Sequence, residues 1–355
     1  MQGAAQGGIG GLSSASAWGR DLIGGDQIQR AVEVLKGGGV VAFPTETVYG
    51  LGGDAENEAA IERIFEIKGR PTAHPLIVHL GDASELASWA AEVSPVAWRL
   101  AERFWPGPLT IILRRSARVL DVVTGGLSTV GLRVPNHPVA LALLRALGGA
   151  LAAPSANRFG AVSPTTAAHV RQDLGGAVDL VLDGGSCQIG LESTIVDLSS
   201  GAAAILRPGG VSREELEEVM GETVPIREGG PVRSPGQLHH HYAPRAEVIV
   251  ATADQLAVRA ADLQARGLRV AVSTGEAVAG LPPQVERIPL PESLADVARA
   301  LYAVLREVDR RECDVVLITL PPEAGLGLAI ADRLRRASGS GGCAVSSHRT
   351  SRGEK

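Results

Sequence analysis

The chain has 355 residues and a net charge of −5, with 34 Lys plus Arg against 39 Asp plus Glu. This length suits two domains with sizeable cores, at roughly 100 to 200 residues per domain. The charge balance argues against a polybasic protein that binds nucleic acid over its whole surface, so any anion site must be a local cluster. The three cysteines lie far apart without a Cys-x-x-Cys pair, which argues against a disulfide framework and a thiolate zinc site.

The reduced cysteines predict a cytoplasmic location. No apolar run approaches the ~18 residues of a membrane span, so we expect a soluble protein without membrane contact. The two ends, residues 1–24 and 338–355, are rich in Gly and Ser and have little to bury. We therefore expect both to be flexible tails.

Residues 25–222 alternate between helical and strand patterns, which predicts a layered α/β domain. A helix begins near Asp26, the strand Val40–Phe43 follows, and Asn57 can cap a helix that runs to Lys68. A further helix is expected near Pro95–Arg103. Further strands are expected at Leu76–Leu80, Leu109–Leu113, Val130–Val134, Leu151–Ala153, Leu180–Asp183, Thr194–Asp197 and Ala204–Arg207.

Residues 223–245 are rich in Pro, Gly and His and have no periodicity, so they are predicted to form a linker. Strands then alternate with helices over residues 246–337, which predicts a smaller, Rossmann-like parallel α/β domain. Its strands are expected at Val248–Ala251, Arg269–Ser273 and Asp314–Thr319, and its helices at Asp254–Arg266, Ser293–Arg310 and Leu328–Ala337.

The segment VVAFPTETVYGLGGDA, residues 40–55, joins a buried strand to a loop rich in hydroxyl groups. One helix later come Lys68 and Arg70, and Pro71 forces an extended chain there. One point charge and one planar fork suit a phosphate group. A solvated helix end explains the same pair equally well, because cations favour a helix C-terminus.

Other polar residues also stand next to strands. Ser155 and Asn157 follow a strand end, and Ser163 opens a helix start where backbone N–H groups and hydroxyls can hold phosphate oxygens or simply cap the helix. His79 ends a strand, and a histidine at such a position is more often a surface or core residue than a functional one. Arg133 ends another strand, and its side chain could equally form an ion pair or bind a ligand.

Standard nucleotide and hydrolase signatures are missing, since neither G-x-x-x-x-G-K-[ST] nor G-x-S-x-G occurs. The run His239–His241 is a poor metal site, because adjacent histidines in an extended chain point alternately apart. We therefore expect no protein-bound metal.

Seven motifs nevertheless occur in a telling order: PTETVYGLG, KGRP with PLIVH, FWPGPLT, GLRVP, APSAN with SPT, ESTIVD and LRPG. This order closely resembles the threonylcarbamoyl-AMP synthase family, built on the YrdC-like domain, over residues 26 to about 220. The linker SPGQLHHHYAP and the α/β unit after it resemble the long form of that family. The resemblance implies a twisted open α/β sheet with a large, locally positive cavity.

Members of that family condense L-threonine, bicarbonate or CO2, and ATP into threonylcarbamoyl-adenylate and pyrophosphate. This is the first half of making the t6A base next to tRNA anticodons, and a separate tRNA threonylcarbamoyl transferase complex completes it. The resemblance implies Mg²⁺ as a cofactor carried mostly by ATP and water.

The resemblance also assigns residues to roles. Threonine binding falls on Thr47, His79, Arg133, Ala153 and Ser193. ATP binding falls on Arg70, His74, Thr129, Ser155, Ser163, Arg207, His241 and Tyr242. Catalytic roles fall on Lys68, Arg70, Ser155 and Asn157. The linker departs from the family pattern SPGMKYRHYAP, because Gln237, Leu238, His239 and His240 replace Met, Lys, Tyr and Arg. That exchange removes two cations from a segment that in the family folds over the cavity.

Two alternatives compete with the synthase hypothesis. The chain could be an RNA-binding module of YrdC-like fold without synthase activity, although its net charge of −5 argues against a dominant role of that kind. It could also be a carbamoyl-transferring maturation enzyme, but such chains carry acylphosphatase and zinc-finger segments that are missing here. The role of the C-terminal domain, the oligomeric state and direct tRNA contact stay open.

Overall fold

The computed structural model describes residues 24–227 and 242–339. The helices in this part of the chain are α1 (Gly25–Lys36), α2 (Glu58–Lys68), α3 (Leu86–Trp89), α4 (Pro95–Phe104), α5 (Asp121–Thr124), α6 (Pro138–Leu147), α7 (Ala167–Leu174), α8 (Arg213–Met220), α9 (Leu256–Ala265), α10 (Leu294–Arg310) and α11 (Leu326–Ala337). The strands are β1 (Val41–Phe43), β2 (Gly50–Asp54), β3 (Ile77–His79), β4 (Leu109–Arg114), β5 (Thr129–Arg133), β6 (Leu151–Ala153), β7 (Leu180–Val181), β8 (Thr194–Asp197), β9 (Ala204–Arg207), β10 (Glu247–Val250), β11 (Val270–Ser273), β12 (Glu286–Arg287) and β13 (Val315–Ile318).

The first domain is built on a nine-stranded open sheet in the order β7-β1-β2-β6-β3-β5-β4-β8-β9. Parallel pairs such as β3 with β5 occur beside antiparallel pairs such as β1 with β2. Helices α1 and α6 cover one face around Phe43 and Leu143, and α2 and α4 belong to the core cluster that includes Ile64 and Leu100. The predicted open α/β sheet is confirmed.

Local signals place the helix that precedes the cationic pair. The Asn57 side chain accepts a hydrogen bond from the backbone N–H of Ala60 and begins α2, as its sequence predicts. Gly69 ends the helix in the left-handed conformation, with φ of 62°. The chain therefore turns sharply between Lys68 and Arg70, and the two side chains bind different segments, Lys68 the loop after β6 and Arg70 the segment before β3.

Strand β2 was not predicted, because three of its five residues are glycine, which is depleted in strands. The structure supplies the reason for these glycines. A Cβ atom on Gly52 would lie 2.8 Å from Cε1 of Phe43, and one on Gly50 would lie 3.0 Å from the same ring atom. The Phe43 ring thus packs directly on the backbone of the neighbouring strand.

The second domain has four parallel strands in the order β10-β13-β11-β12. Helix α9 packs on one face through Leu256 and Leu263, whereas α10 and α11 pack on the other. This confirms the predicted parallel α/β domain. The apolar cluster around α10 also includes Val48, Val162 and Leu191 of the first domain, so the two domains share a continuous buried interface. Within the described ranges, no helix is both long and apolar enough to cross a membrane.

Candidate active site

A small cavity lies against strands β2, β3, β5 and β6 of the large sheet. Its volume is about 50 Å³. Since a single water needs roughly 10–15 Å³ measured in this way, the cavity suits a molecule of amino-acid size rather than a nucleoside triphosphate. The residues that line it are Thr45, Thr47, Val48, Gly50, Arg70, Ile77, His79, Arg133, Ala153, Pro154, Ser155, Glu192, Ser193, Arg207 and Tyr242.

All five residues assigned to threonine line this one cavity. Sheet register brings two of them together, because β3 and β5 are parallel and His79 pairs with Arg133. Ala153 ends β6, which is antiparallel to β3. Thr47 lies in the loop between β1 and β2, and Ser193 directly precedes β8, so residues far apart in the chain line one cavity.

Arg133 is the central cation of this wall, and its side chain is buried. Its Nη2 donates to Oγ1 of Thr47 at 2.9 Å, and its Nε donates to the carbonyl of Gly107 at 3.2 Å. The same Nη2 lies 2.8 Å from Oε1 of Glu46, whose side chain is also buried. Neither Glu46 oxygen is aligned for a hydrogen bond, so this pair is a charge contact rather than a bonded fork. Glu46 therefore balances the charge of Arg133, and among the described residues only Nη1 of the guanidinium has no bonded partner.

His79 is an uncharged member of the same wall. Its burial and the positive charge of Arg133 lower the pKa of the imidazole to about 3. A ring with this pKa is neutral at physiological pH. It can hydrogen-bond to a substrate without adding a second positive charge beside the arginine.

Ser193 is fixed from two directions. Its Oγ lies 2.8 Å from Oγ1 of Thr110 on β4. Nη2 of Arg207 donates to the Ser193 carbonyl at 2.8 Å and to its Oγ at 3.1 Å. Burial lowers the pKa of the Arg207 guanidinium. Arg207 thus connects the threonine wall to the part of the cavity assigned to ATP.

Arg70 provides a charge that no carboxylate of the described chain pairs within 4.0 Å. Its Nη2 donates to the Pro75 carbonyl at 3.1 Å, and its guanidinium lies 5.6 Å from the centre of the Phe159 ring. Burial and the nearby charge of Arg207 lower the pKa of Arg70 to about 10, so the group stays protonated at neutral pH. A buried cation without a counter-ion indicates an anion site.

Lys68 does not line the cavity but supports its neighbour. Its Nζ donates to the carbonyl oxygens of Ser155 and Asn157 at 2.5 Å each. Burial and the positive charge of Arg70 lower the pKa of Lys68. The lysine therefore fixes the loop that carries Ser155, which does line the cavity.

Four further assigned residues lie outside the cavity wall. Asn157 is buried, and its Nδ2 donates to the carbonyls of two nearby residues at 2.8 Å each. His74 lies beside Phe159, with 5.4 Å between the ring centres. Thr129 begins β5, whose other end carries Arg133, and the buried Ser163 hydroxyl donates to Glu192. His241 lies outside the described residues.

Sequence reasoning missed two buried carboxylates, Glu46 and Glu192. Both stand inside quoted motifs, PTET and ESTIVD, but a motif alone does not say which way a side chain faces. Glu192 lines the cavity. Its Oε1 accepts from Oγ of Ser163 at 2.7 Å, and its Oε2 accepts from the Tyr302 hydroxyl at 2.8 Å and from Nε of Arg333 at 2.7 Å.

A second cavity of about 670 Å³ lies in the C-terminal domain. It opens at the carboxyl ends of the parallel strands β10, β11 and β13, where ligands often bind in sheets of this type. Thr252, Thr274 and Thr319 line it together with apolar side chains, Glu276 and Glu292. No Lys or Arg is among its lining residues in the described chain. It is therefore a poor site for a triphosphate, whereas Arg70 and Arg207 line the cavity in the first domain.

Comparison with known proteins identifies the family. A model described as "Telomere recombination" matches residues 33–209, and one described as "Threonylcarbamoyl-AMP synthase, C-terminal domain" matches residues 211–339. A threonylcarbamoyl-AMP synthase from Pyrococcus abyssi is 43% identical over 320 residues, which is 88% of this chain and 94% of the relative. The chain belongs to the threonylcarbamoyl-AMP synthase family. A Bacillus subtilis threonylcarbamoyl-AMP synthase is 41% identical over 324 residues, 88% of this chain and 93% of the relative.

The fold agrees with a solved member of this family. The crystal structure of P. abyssi Sua5 complexed with L-threonine matches with a TM-score of 0.83 at 42% identity, covering 88% of this chain and 94% of that chain. The long-form threonylcarbamoyl-AMP synthase predicted from the motif order is thereby confirmed, and with it the enzyme class. The roles of individual residues stay predictions, and the geometry above is the basis on which we propose them.

Proposed function

We propose that the chain condenses L-threonine, bicarbonate or CO2, and ATP into L-threonylcarbamoyladenylate and pyrophosphate. One observation carries the proposal: the five residues assigned to threonine line a single cavity, and it is shared by the buried Arg70, which no carboxylate of residues 24–227 and 242–339 pairs within 4.0 Å. The cavity size suits an amino acid, while the positive charge beside it suits a phosphate. The size of the cavity and the charge of its side chains thus agree with the substrates of the family.

Threonine binds at the wall formed by strands β3 and β5. The guanidinium of Arg133 takes the substrate carboxylate, because a planar fork matches two oxygens. Thr47 and Ser193 supply hydroxyl groups on either side, and the neutral His79 contacts the substrate without repelling its amine. Glu46 keeps Arg133 in place and balances its charge when no substrate is bound.

The reaction forms two bonds and breaks one at phosphorus. The threonine amine attacks CO2 to give a carbamate, and the amine proton passes to solvent; when bicarbonate is the one-carbon unit, its C–OH bond breaks as well and water leaves with that proton. A carbamate oxygen then attacks the α-phosphorus of ATP, the bond to the β-phosphate oxygen breaks, and pyrophosphate leaves. Arg70 and Arg207 neutralise the charge that accumulates on the phosphates, and Lys68 holds the Ser155 loop in line. No step requires a nucleophilic side chain.

Mg²⁺ enters this scheme with ATP. Among the residues described, no group of three His, Cys, Asp or Glu side chains is arranged to hold a metal ion. The triphosphate and water are therefore the donors we assign to it, and bound Mg²⁺ would neutralise part of the triphosphate charge. We place the enzyme in the cytoplasm and its product with the transferase complex that completes t6A at position 37 of tRNA.

A pyrophosphate-release assay tests the proposal. Purified full-length chain should release pyrophosphate from ATP only when L-threonine and bicarbonate are both present. Release that is indifferent to threonine would overturn the assignment. The RNA-binding alternative has its own signature, a salt-sensitive gel shift with RNA in a preparation that shows no turnover.

A further inference from the structure

The C-terminal domain reaches the wall of the active-site cavity with one fully buried cation. Arg333 on α11 donates from Nε to Oε2 of Glu192 at 2.7 Å and from Nη2 to the carbonyl of Pro208 at 3.0 Å. Its guanidinium also lies 5.0 Å from the centre of the Tyr242 ring. Glu192 and Tyr242 both line the cavity. A side chain of the second domain thus contacts two residues that line the cavity.

Glu192 is the receiver of these contacts, and both of its oxygens are occupied. One accepts from Ser163, and the other accepts from Arg333 and from the Tyr302 hydroxyl on α10. Burial alone would raise the pKa of this carboxyl, but the charges of Arg333 and Arg207 and the bond from Ser163 lower it to about 2. The carboxylate is therefore ionised and held in one orientation.

Arg333 also acts on the segment that follows β9. The Pro208 carbonyl that it binds comes directly after Arg207, and Arg207 in turn holds Ser193. Loss of Arg333 would leave Glu192 buried with Arg207 as its nearest remaining cation. A buried carboxylate deprived of its partner takes up a proton more readily, and a protonated oxygen can no longer accept two hydrogen bonds.

We propose that Arg333 is a positioning residue of the synthase reaction, through which the C-terminal domain fixes Glu192 and thereby aligns Ser163 and Arg207 for ATP. This inference rests on the proposed function. In this proposal the second domain positions residues of the active site in addition to packing against the first domain. Arg333 itself is not among the residues that line the cavity.

The interface contains a matched control for simple docking. Arg306 on α10 pairs with Asp173 at 2.6 Å and donates to the Val162 carbonyl, across the same domain boundary. Its side chain is mostly buried, but neither Asp173 nor Val162 lines the cavity. Arg306→Met therefore removes an interdomain ion pair of the same kind while keeping every direct contact of Glu192, and Asp173→Asn removes that ion pair without losing the Arg306 bond to the Val162 carbonyl next to Ser163.

The experiment compares Arg333→Met with Arg306→Met in the full-length chain. Both variants should lower the melting temperature. Only Arg333→Met should weaken ATP binding, measured by equilibrium dialysis, by about tenfold or more, the effect of losing a charge-assisted contact. Equal ATP dissociation constants in the two variants would overturn the proposal.

A pH profile supplies a readout that docking alone would not move. Glu192 faces Arg333 and Tyr302 of the C-terminal domain, Arg207 and Ser163 of the first domain, and Tyr242 at the junction. Asp332 accepts a hydrogen bond from Nη1 of Arg333. In Arg333→Met, activity should gain a new acid limb as Glu192 protonates, and the wild type and Arg306→Met should lack it. A pH profile of Arg333→Met that matches the wild type would contradict the proposal.

Two further variants keep the proposal testable if Arg333→Met does not fold. Arg333→Lys keeps the charge and should remove most of the acid limb, while Glu192→Gln should weaken ATP binding without any acid limb. Normal ATP affinity in Glu192→Gln would count against the inference even if Arg333→Met were insoluble. Failure of the wild type to release pyrophosphate with threonine and bicarbonate would instead reject the proposed function, whatever the ATP affinities are.

Discussion

Replacing Arg133 by Met should separate the two roles of this buried guanidinium. In the free protein it lies 2.8 Å from the buried carboxylate of Glu46, and in the complex we expect it to bind the threonine carboxylate. Removing one partner of a buried ion pair costs about 3–5 kcal/mol of folding free energy. Losing a charge-assisted hydrogen bond to the substrate costs about 1.5–3 kcal/mol, which corresponds to about 10- to 150-fold weaker threonine binding.

The double variant Arg133→Met with Glu46→Gln distinguishes these two costs. It leaves no buried charge without a partner, so most of the lost stability should return, whereas threonine affinity should stay low. Denaturant unfolding and calorimetric titration with L-threonine on the wild type, both single variants and the double variant complete the thermodynamic cycle. If the double variant bound threonine as tightly as the wild type, Arg133 would be a structural residue only and our placement of the substrate carboxylate would be refuted.

Three further predictions concern other residues of the site. Lys68→Met removes the donor shared by the Ser155 and Asn157 carbonyls, so kcat/KM for ATP in pyrophosphate release should fall about 100-fold; an unchanged value would show that the loop needs no such support. Ser193→Ala should weaken threonine binding about 5- to 10-fold in the same titration, through loss of one hydroxyl contact. The pKa of His79 is about 3 in the folded protein, which is below its unfolded value, so the unfolded state takes up the proton first. The free energy of unfolding should therefore fall as the pH drops below about 6.5, and His79 alone should account for about 2 kcal/mol at pH 5. Urea unfolding at pH 7 and 5 should show that His79→Gln loses less stability over this range than the wild type.

Helix α2 and the cationic pair after it follow from local sequence. Asn57 caps the helix and Gly69 ends it, and both act through backbone geometry within a few residues. Such signals need no tertiary information. The order of motifs along the chain was equally readable, and it was sufficient to identify the family and its two α/β domains.

Local signals did not show which residues would meet. The glycines of β2 argue against a strand when only the sequence is known. The packing of the Phe43 ring on this backbone explains why the glycines stand there. Glu46 and Glu192 were visible as letters within motifs, but burial beside Arg133 and Arg333 depends on strand order and on the approach of a second domain.

By itself, the sequence determined the helices with clear caps, the alternating α/β pattern and the residue types that suit threonine and a triphosphate. The tertiary structure alone decided that the five residues to which we assign threonine binding line one cavity, because they come from strands and loops that only the fold brings together. It also decided that Arg333 of α11 contacts Glu192, which lines the same cavity. An ion pair between residues so far apart in the chain leaves no periodic or local signature, since its energy arises only when folding removes both groups from water.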